Sequence, residues 1–312
     1  MDELRIISAD EVRQKLTMTK AIEAMESAFR DLSSGQAIVP DRLPLHTEQS
    51  TEYLFMPAYY PSGGITTIKS VSINPENPGR GRPFIYATVQ VFDHNTGEPI
   101  ALVDGSSVTA IRTAAASGLA TKIFSNPESH IAAIFGTGVQ ARTHVEAVLS
   151  VRPIHSILVY GSTLQKSRSF CEEYADSEVE FTATDKMEDL ISADIICTTT
   201  TSSTPVFDHE FIKKGAHINA VGVYKPDYHE VPEETVAAAK VYIDQLEGAL
   251  VEAGDLLIPL SKGLISQDHI CNEIGHVLNG QLSYNWSNEK ITLFKSVGNA
   301  IQDAAAVSLL LD

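Results

Sequence analysis

Two spacings of apolar residues divide the chain. Residues 22–32 carry apolar side chains every three or four positions and a glycine follows at position 35, which predicts an amphipathic helix that ends there. Residues 40–104 instead form short apolar runs separated by Pro, Gly and Asn turns, which indicates antiparallel β-structure. An alanine-rich stretch at 106–124 then predicts a long helix.

Beyond residue 130 the pattern alternates between buried strands and helices. The predicted strands are residues 131–135, 156–160, 193–199, 217–221 and 240–244, and a last apolar helix is predicted at 300–311. Strands alternating with helices are typical of a doubly wound parallel sheet. We therefore expect an α/β protein with a Rossmann-type parallel sheet and a second, α+β domain.

The first of these strands runs directly into a glycine-rich turn. The sequence IAAIFGTGVQA places Gly136, Gly138 and Ala141 in the spacing G-x-G-x-x-A, and a helical pattern follows. The first glycine allows a sharp turn, the second lets the backbone approach a pyrophosphate, and the alanine lets the helix pack close to the sheet. A dinucleotide site is the prediction; a glycine-bearing turn in another kind of α/β protein is the alternative.

Composition excludes several classes of partner. The 312 residues carry a formal net charge of -17, which argues against nucleic acid and anionic membrane surfaces. The first residues are charged, and no apolar run is long enough to cross a bilayer. Three separated cysteines indicate neither a disulfide framework nor a zinc site. We expect a cytoplasmic protein.

The end of the second parallel strand bears on cofactor choice. NAD-preferring folds place an acidic residue there, but this chain has Gly161, Ser162 and Thr163, followed by Lys166 and Arg168. Small hydroxyl residues and cations suit a 2′-phosphate, so NADP(H) is favoured, with NAD(H) as the alternative. In the competing interpretation, the two cations only solvate a helix face.

Three cations stand among apolar or turn residues. Arg42 follows a proline, Lys69 interrupts the strand ITTIKSVSI, and Arg112 lies in the alanine-rich helix. Because a buried cation is costly unless it is paired, each is expected to face an anion. The trio predicts a carboxylate-binding site; surface positions or structural salt bridges are the alternative. The histidines, including His144, form no catalytic pattern, so we expect surface or capping roles for them and no metal site.

At this point the chain resembles the ornithine cyclodeaminase/μ-crystallin family. The match runs almost end to end, through PDRLP, YLFMPAYY, IKSVSINPENP, VFDHNTGEPIALVDGSSVTAIRTAAASGLAT, GTGVQARTH, INAVGVYKPDYHEVPEE, EAGDLL and LFKSVGNAIQDAAA. The resemblance implies a homodimer of NAD(P)-dependent subunits. It further implies a substrate-binding and dimerisation domain at 1–118 plus 297–312, and a dinucleotide-binding domain at 119–296.

The resemblance also implies roles for individual residues. Arg42, Lys69 and Arg112 match positions that hold the substrate carboxylate and the reacting nitrogen, Lys69 is the candidate catalytic residue, and Met56 matches the lining of the substrate pocket. The positions expected to border the cofactor are Thr88, Arg112, Gly136, Gly138, Val139, Gln140, Gly161, Ser162, Thr163, Lys166, Arg168, Thr198, Thr199, Val221, Gly222, Tyr224, Ser296 and Val297.

Two departures from the family pattern narrow the function. Cyclodeaminases and the related alanine dehydrogenases carry an aspartate where this chain has Tyr224, and crystallin relatives carry Asn-Arg-Thr where it has Gly-Ser-Thr at 161–163. The leading hypothesis is a reductase that converts a small cyclic ketimine, Δ1-pyrroline-2-carboxylate or its six-membered homologue, to L-proline or L-pipecolate. Ornithine cyclodeamination and alanine dehydrogenation are alternatives. A non-catalytic, NADP-gated ligand-binding protein is an alternative of another class.

Overall fold

The chain folds into two compact units. The computed structural model describes residues 4–48, 51–270 and 272–311. One unit comprises Met1–Arg112 together with Gly298–Asp312, and the other comprises Thr113–Val297. We call them the first and second units. The dimerisation and substrate-binding roles given to the former stay predictions. Of the cysteines, Cys197 is buried, Cys171 is half-buried and Cys271 lies outside the described residues.

Strands and α-helices follow the order expected from the apolar spacing. The strands are β1 (Arg5–Ile7), β2 (Leu43–His46), β3 (Glu52–Tyr60), β4 (Ile65–Ile73), β5 (Ile85–Asp93), β6 (Pro99–Asp104), β7 (Ile131–Phe135), β8 (Ser156–Tyr160), β9 (Glu180–Ala183), β10 (Ile195–Thr198), β11 (His217–Ala220), β12 (Lys240–Ile243) and β13 (Thr292–Lys295). The α-helices are α1 (Ala9–Lys15), α2 (Met18–Ser33), α3 (Gly105–Phe124), α4 (Val139–Val151), α5 (Leu164–Glu172), α6 (Glu233–Ala238), α7 (Leu246–Glu252), α8 (Gly254–Ser261), α9 (Ile274–Leu278) and α10 (Ala300–Ser308).

The first unit is a sheet with helices on one face. Its strand order is β1-β6-β5-β4-β3-β2, antiparallel except where β1 runs parallel to β6. Side chains alternate between faces, so every second residue of β3 and β4 is buried. Helix α10 packs on that buried face against β3 and β4, and α2 packs against α10. The apolar spacing at 22–32 therefore marks the buried side of α2, and Gly35 follows the helix with a φ of 75°.

The opposite face of this sheet carries large apolar side chains. Ile6, Tyr53, Ile68 and Tyr86 all point to it and are each more than a third exposed. One face of an antiparallel sheet is often exposed to solvent, and the residues that point to it are then mostly polar. Large apolar side chains exposed on a sheet face provide a surface that another molecule can cover.

The second unit is a doubly wound parallel sheet, as the sequence predicts. Its strand order is β12-β13-β11-β10-β7-β8-β9, and all neighbouring pairs are parallel. One apolar cluster contains Ala133 and Phe135 and the other contains Ala132 and Ile134, so both faces of the sheet are covered. The sequence reading missed β9 and β13, two short strands with charged residues at one end.

The strand order reverses at β7. The chain passes from β7 to β8 on one side and returns to β10 on the other. Loops leaving β7 and β10 at their carboxyl ends therefore diverge, and ligands of such sheets bind in the crevice that this divergence creates. Within the described residues, no helix is both long and apolar enough to span a membrane.

Candidate active site

A buried cluster of charges lies on the inner face of the first unit's sheet. Lys69 is 2 % exposed, and its Nζ lies 2.7 Å from Oδ2 of Asp303 in α10. The Nε of Arg112, in α3, donates to Oδ1 of the same carboxylate at 3.0 Å. Strand β4 and helices α3 and α10 thus each contribute one charge, and Asp303 is shared between two cations.

Two further candidates border this cluster. Arg42 donates through Nη2 to the carbonyl oxygen of Gly298 at 2.7 Å. Gly298 has a φ of 74°, and an added Cβ would collide with the guanidinium of Arg112, so only glycine fits between the two arginines. Met56 pairs with Lys69 across β3 and β4, is buried, and therefore lies on the same face of the sheet.

The environment of Lys69 changes its acidity. Burial lowers the pKa of the Lys69 ammonium to about 7, Arg112 and Arg42 act in the same direction, and the Asp303 carboxylate opposes them. At neutral pH Lys69 can therefore both hold and release a proton.

The charges of the cluster suit an anionic ligand. Lys69 and Arg112 face a single carboxylate, that of Asp303, so these three side chains carry an excess of positive charge. In an acidic chain such an excess is the arrangement expected for a carboxylate-binding site. Sequence reasoning missed Asp303. The signal was an acidic residue inside the apolar helix AIQDAAAV.

Thr88 does not share this face. It pairs with Ser70 on β4 and is exposed, whereas Lys69 pairs with Val89 and is buried. Adjacent residues of a strand point to opposite faces, so Thr88 points away from Lys69 and Met56. Its expected place beside a cofactor stays a prediction.

In the second unit, the glycine turn has the form that a dinucleotide requires. Gly136 has a φ of 113°, and an added Cβ would lie 2.6 Å from Oγ1 of Thr199. Gly138 is the N-cap of α4 without a side-chain cap, and no atom lies within 4 Å of the position of its missing Cβ. Val139 and Gln140 open the helix, and Ala141 is fully buried. The uncapped amides of α4 can therefore donate hydrogen bonds to phosphate oxygens.

The predicted ribose position is exposed and rich in hydroxyl groups. Thr163 caps α5 by accepting a hydrogen bond from the amide of Lys166, and the Nζ of Lys166 donates to Oγ of Ser162 at 3.0 Å. Gly161 donates its amide to Ser167. Arg168 is exposed on the same helix. A hydroxyl and a cation thus stand together directly after β8.

The remaining candidates follow the carboxyl ends of three neighbouring strands. Thr198 ends β10 and Thr199 follows it, Val221 and Gly222 follow β11, and Ser296 and Val297 follow β13. Tyr224 is half-buried, two residues beyond Gly222. Gly222 leaves no room for a Cβ because the backbone of Thr200 passes directly beside it. The sheet therefore gathers these candidates at one edge.

The expectation of surface or capping roles is wrong for two histidines, His144 and His217, which are both fully buried. His144 is fully buried, its Nδ1 lies 2.7 Å from the carbonyl oxygen of Gln140, and its Nε2 lies 2.9 Å from Oγ of Ser117. Burial lowers the pKa of His144 to about 4, so the ring is neutral, donates to the carbonyl and accepts from the hydroxyl. Its role is to hold α4 in place. Among the described residues, no group of three or more His, Cys, Asp or Glu side chains is placed to hold a metal.

Comparison with known proteins identifies the family. The profile of the ornithine cyclodeaminase/mu-crystallin family matches residues 3–312. The chain belongs to that family. A Bacillus cereus protein named Delta(1)-pyrroline-2-carboxylate reductase is 38% identical over 312 residues, covering 98% of this chain and 95% of that protein.

Two solved structures extend the comparison. The Thermococcus litoralis Delta(1)-pyrroline-2-carboxylate reductase, in complex with NADH and L-proline, has a TM-score of 0.94 at 38% identity and covers 99% of this chain and 96% of its own. An archaeal alanine dehydrogenase, described as a dimer with bound NAD, has a TM-score of 0.92 at 31% identity, covering 99% and 95%. The fold assigned from sequence is thus confirmed.

Removing the shared carboxylate should be costly. In Asp303→Ala, two buried cations lose their partner, so we expect the free energy of unfolding to fall by about 3–5 kcal/mol. Urea denaturation of wild type, Asp303→Ala, Lys69→Met and the double variant would measure it. The double-mutant cycle should give a coupling of about 0.5–3 kcal/mol between Lys69 and Asp303. Additive effects would show that the ion pair makes no contribution of its own.

Proposed function

We propose that the protein is a ketimine reductase that uses NADPH or NADH to reduce Δ1-pyrroline-2-carboxylate to L-proline, with the six-membered homologue as a second candidate substrate. That it is an NAD(P)H-dependent oxidoreductase acting on a C=N bond has the support of the named relatives. The observation that carries the finer proposal is the buried Lys69, which shares Asp303 with Arg112.

The substrate carboxylate would be held by the arginines. Arg112 uses Nε for Asp303 and Nη1 for Gln302, while Arg42 uses Nη2 for Gly298. A guanidinium has five N–H donors, so each arginine can bind a carboxylate while its orienting contacts remain. Asp303 and Gly298 then act as positioning residues that fix the direction of the two guanidinium groups.

Lys69 would manage the proton at the imine nitrogen. An imine accepts a hydride at carbon only when its nitrogen is protonated or receives a proton in the same step. The ammonium of Lys69, with a pKa lowered to about 7, can donate that proton, and the Asp303 carboxylate stabilises the charged form beforehand.

A nicotinamide dinucleotide would supply the hydride. The glycine turn at 136–138 and the amides of α4 fit its pyrophosphate, and Ser162, Thr163 and Lys166 fit an adenosine ribose with or without a 2′-phosphate. We infer that NADPH is favoured and NADH is also used, because no carboxylate stands at the end of β8 to repel the phosphate.

Tyr224 distinguishes this activity from those of related enzymes. Oxidation of an amino acid, as in cyclodeamination or alanine dehydrogenation, needs a base beside the substrate nitrogen. Family members with those activities carry an aspartate where this chain has Tyr224. A tyrosine phenol, which ordinarily titrates near pH ~10, is a poor base at neutral pH.

The apolar outer face of the first unit's sheet supports a homodimer. The side chains that point to it, with Ile68 on a central strand, form a surface for a second copy. The related archaeal alanine dehydrogenase is itself described as a dimer.

Imine reduction should depend on pH through Lys69. The donating form exists below its pKa, so kcat/KM should fall as the pH rises through about 7. Lys69→Met should lower kcat about 10²–10⁴-fold and lose this dependence, while NADPH still binds. The imine substrate also titrates with pH, so its protonation should be followed by ultraviolet absorbance and the pH dependence of kcat/KM corrected for it. Wild-type turnover in Lys69→Met would exclude the proposed role.

Cofactor choice should follow residue 162. Ser162→Asp should raise the Kd for NADPH roughly tenfold or more, because its carboxylate would repel the 2′-phosphate, and should spare NADH. Ser169→Asp, which adds the same charge further along α5, is the matched control and should leave the ratio of the two affinities unchanged. An equal loss for both cofactors would show that residue 162 does not contact the ribose.

Substrate tests decide between the candidate activities. The wild type should oxidise NADPH in the presence of the pyrroline or piperideine carboxylate and should be nearly inert to ornithine, or to alanine, with NAD. Ammonia released from ornithine at rates similar to imine reduction would overturn the assignment. Nucleotide binding without turnover of any imine would favour the ligand-binding alternative.

The oligomeric state can be measured by light scattering at micromolar concentration. We expect twice the 33.8 kDa mass of the chain. Ile68→Asp should give monomers, because it places a charge in the contact surface. Ile191→Asp, at an exposed apolar position of the second unit, should remain dimeric. A monomeric wild type would contradict the proposal.

A further inference from the structure

A buried carboxylate joins two loops at the edge of the parallel sheet. Glu230 is fully buried, and its Oε1 accepts from the amide of Thr200 at 2.6 Å, in the loop after β10. Its Oε2 accepts from the amide of Gly222 at 2.8 Å, in the loop after β11, and from Oγ1 of Thr198 at 3.1 Å. We call this arrangement the Glu230 bridge.

A second layer of charge holds the bridge in place. Oδ1 of Asp255 accepts from the amides of Glu230 and Val231 at 2.7 and 2.9 Å. The Nζ of Lys295 lies 2.7 Å from Oδ2 of Asp255 and donates to the carbonyl oxygen of Val223 at 2.6 Å. Three buried charges thus fix the backbone of both loops without using a single exposed group.

The bridge suits an ionised carboxylate, because the backbone amides of Thr200 and Gly222 donate to its two oxygens. Burial raises the pKa of Glu230 to about 7, with Asp255 acting in the same direction, while Lys295 and the Thr200 amide hold the pKa down. Keeping an ionised carboxylate buried costs free energy, and well-packed apolar side chains in its place would stabilise the fold equally well. This points to a role in specifying a loop conformation.

The place of the bridge indicates which part of a ligand it serves. In a doubly wound sheet, the strands on the β8 side of the reversal hold the adenosine half of a dinucleotide, and those on the β10 and β11 side hold the other half. The Glu230 bridge lies wholly on the β10 and β11 side.

We propose that Glu230 is a positioning residue for the nicotinamide half of the cofactor, because its carboxylate ties the loop after β10 to the loop after β11. It sets their separation before the cofactor arrives. The proposal rests on the proposed use of a nicotinamide dinucleotide. Glu230 acts through Thr200 and Gly222 and is assigned no contact with the cofactor.

Calorimetric titration of the full-length protein with NADH, NADPH and ADP tests this. Glu230→Gln keeps the shape but turns an NH2 group toward donors, so the Kd for NADH and NADPH should rise about tenfold or more. The Kd for ADP, which lacks the nicotinamide half, should stay within about threefold of wild type. The KM for NADH should rise with the Kd.

A matched control separates positioning from general stability. Asp194 is another largely buried carboxylate that binds loop backbone, accepting from the amides of His130 and Ile131 at 2.8 and 3.0 Å, but it lies at the amino end of β7. Asp194→Asn should lower the Tm and leave all three affinities unchanged. Equal losses for NADH and ADP in Glu230→Gln, or the same losses in Asp194→Asn, would overturn the proposal.

Hydrogen exchange of the wild type gives a test that needs no variant. The amides of Thr200 and Gly222 should be protected in the absence of nucleotide, because the bridge is already formed; rapid exchange at both would overturn the proposal. Wild-type affinity for NADH in Glu230→Gln would refute this inference alone. A wild type that binds neither NADH nor NADPH would refute the proposed function together with it.

Discussion

One carboxylate shared by two buried cations governs the first unit. Lys69 and Arg112 come from a strand and a helix that could not bury their charges alone, and Asp303 makes that burial tolerable. Asp303 sets one negative charge against the two cations Lys69 and Arg112. The site can therefore accept an anion without repelling it, even though the chain as a whole is strongly acidic.

The second unit uses buried charge for a different purpose. The buried Glu230, Asp255 and Lys295 bind backbone amides and carbonyls, and so set the course of loops. Buried charge therefore has a different role in each unit. Buried charge in the first unit joins side chains to one another, while buried charge in the second unit binds the backbone of loops. The first is suited to recognition and proton transfer, and the second to holding a preformed crevice.

The spacing of apolar residues was sufficient to predict most of the fold, because strands and helices bury one face in a regular period. It failed at β13, which ends in Lys295, since a lysine is normally exposed. For the same reason Asp303 was missed although Lys69 was recognised. A sequence shows that a charge interrupts an apolar run, but it does not show which residue pairs with that charge. Asp303 lies 191 positions from Arg112 along the chain, and only the folded structure brings the two together. The face of the sheet to which Thr88 points also depends on strand register, which pairs Thr88 with Ser70.

The discontinuity of the first unit has a consequence for folding during synthesis. Helix α10 packs against α2, β3 and β4, yet the ribosome produces the whole second unit before it produces α10. Until then Lys69 and Arg112 have no carboxylate to join, and the inner face of the sheet is uncovered. Long-range contacts of this kind are formed slowly. The nascent second unit, whose sheet is continuous in the chain, has time to fold first, and the first unit is completed last, with the ion pairs of Asp303.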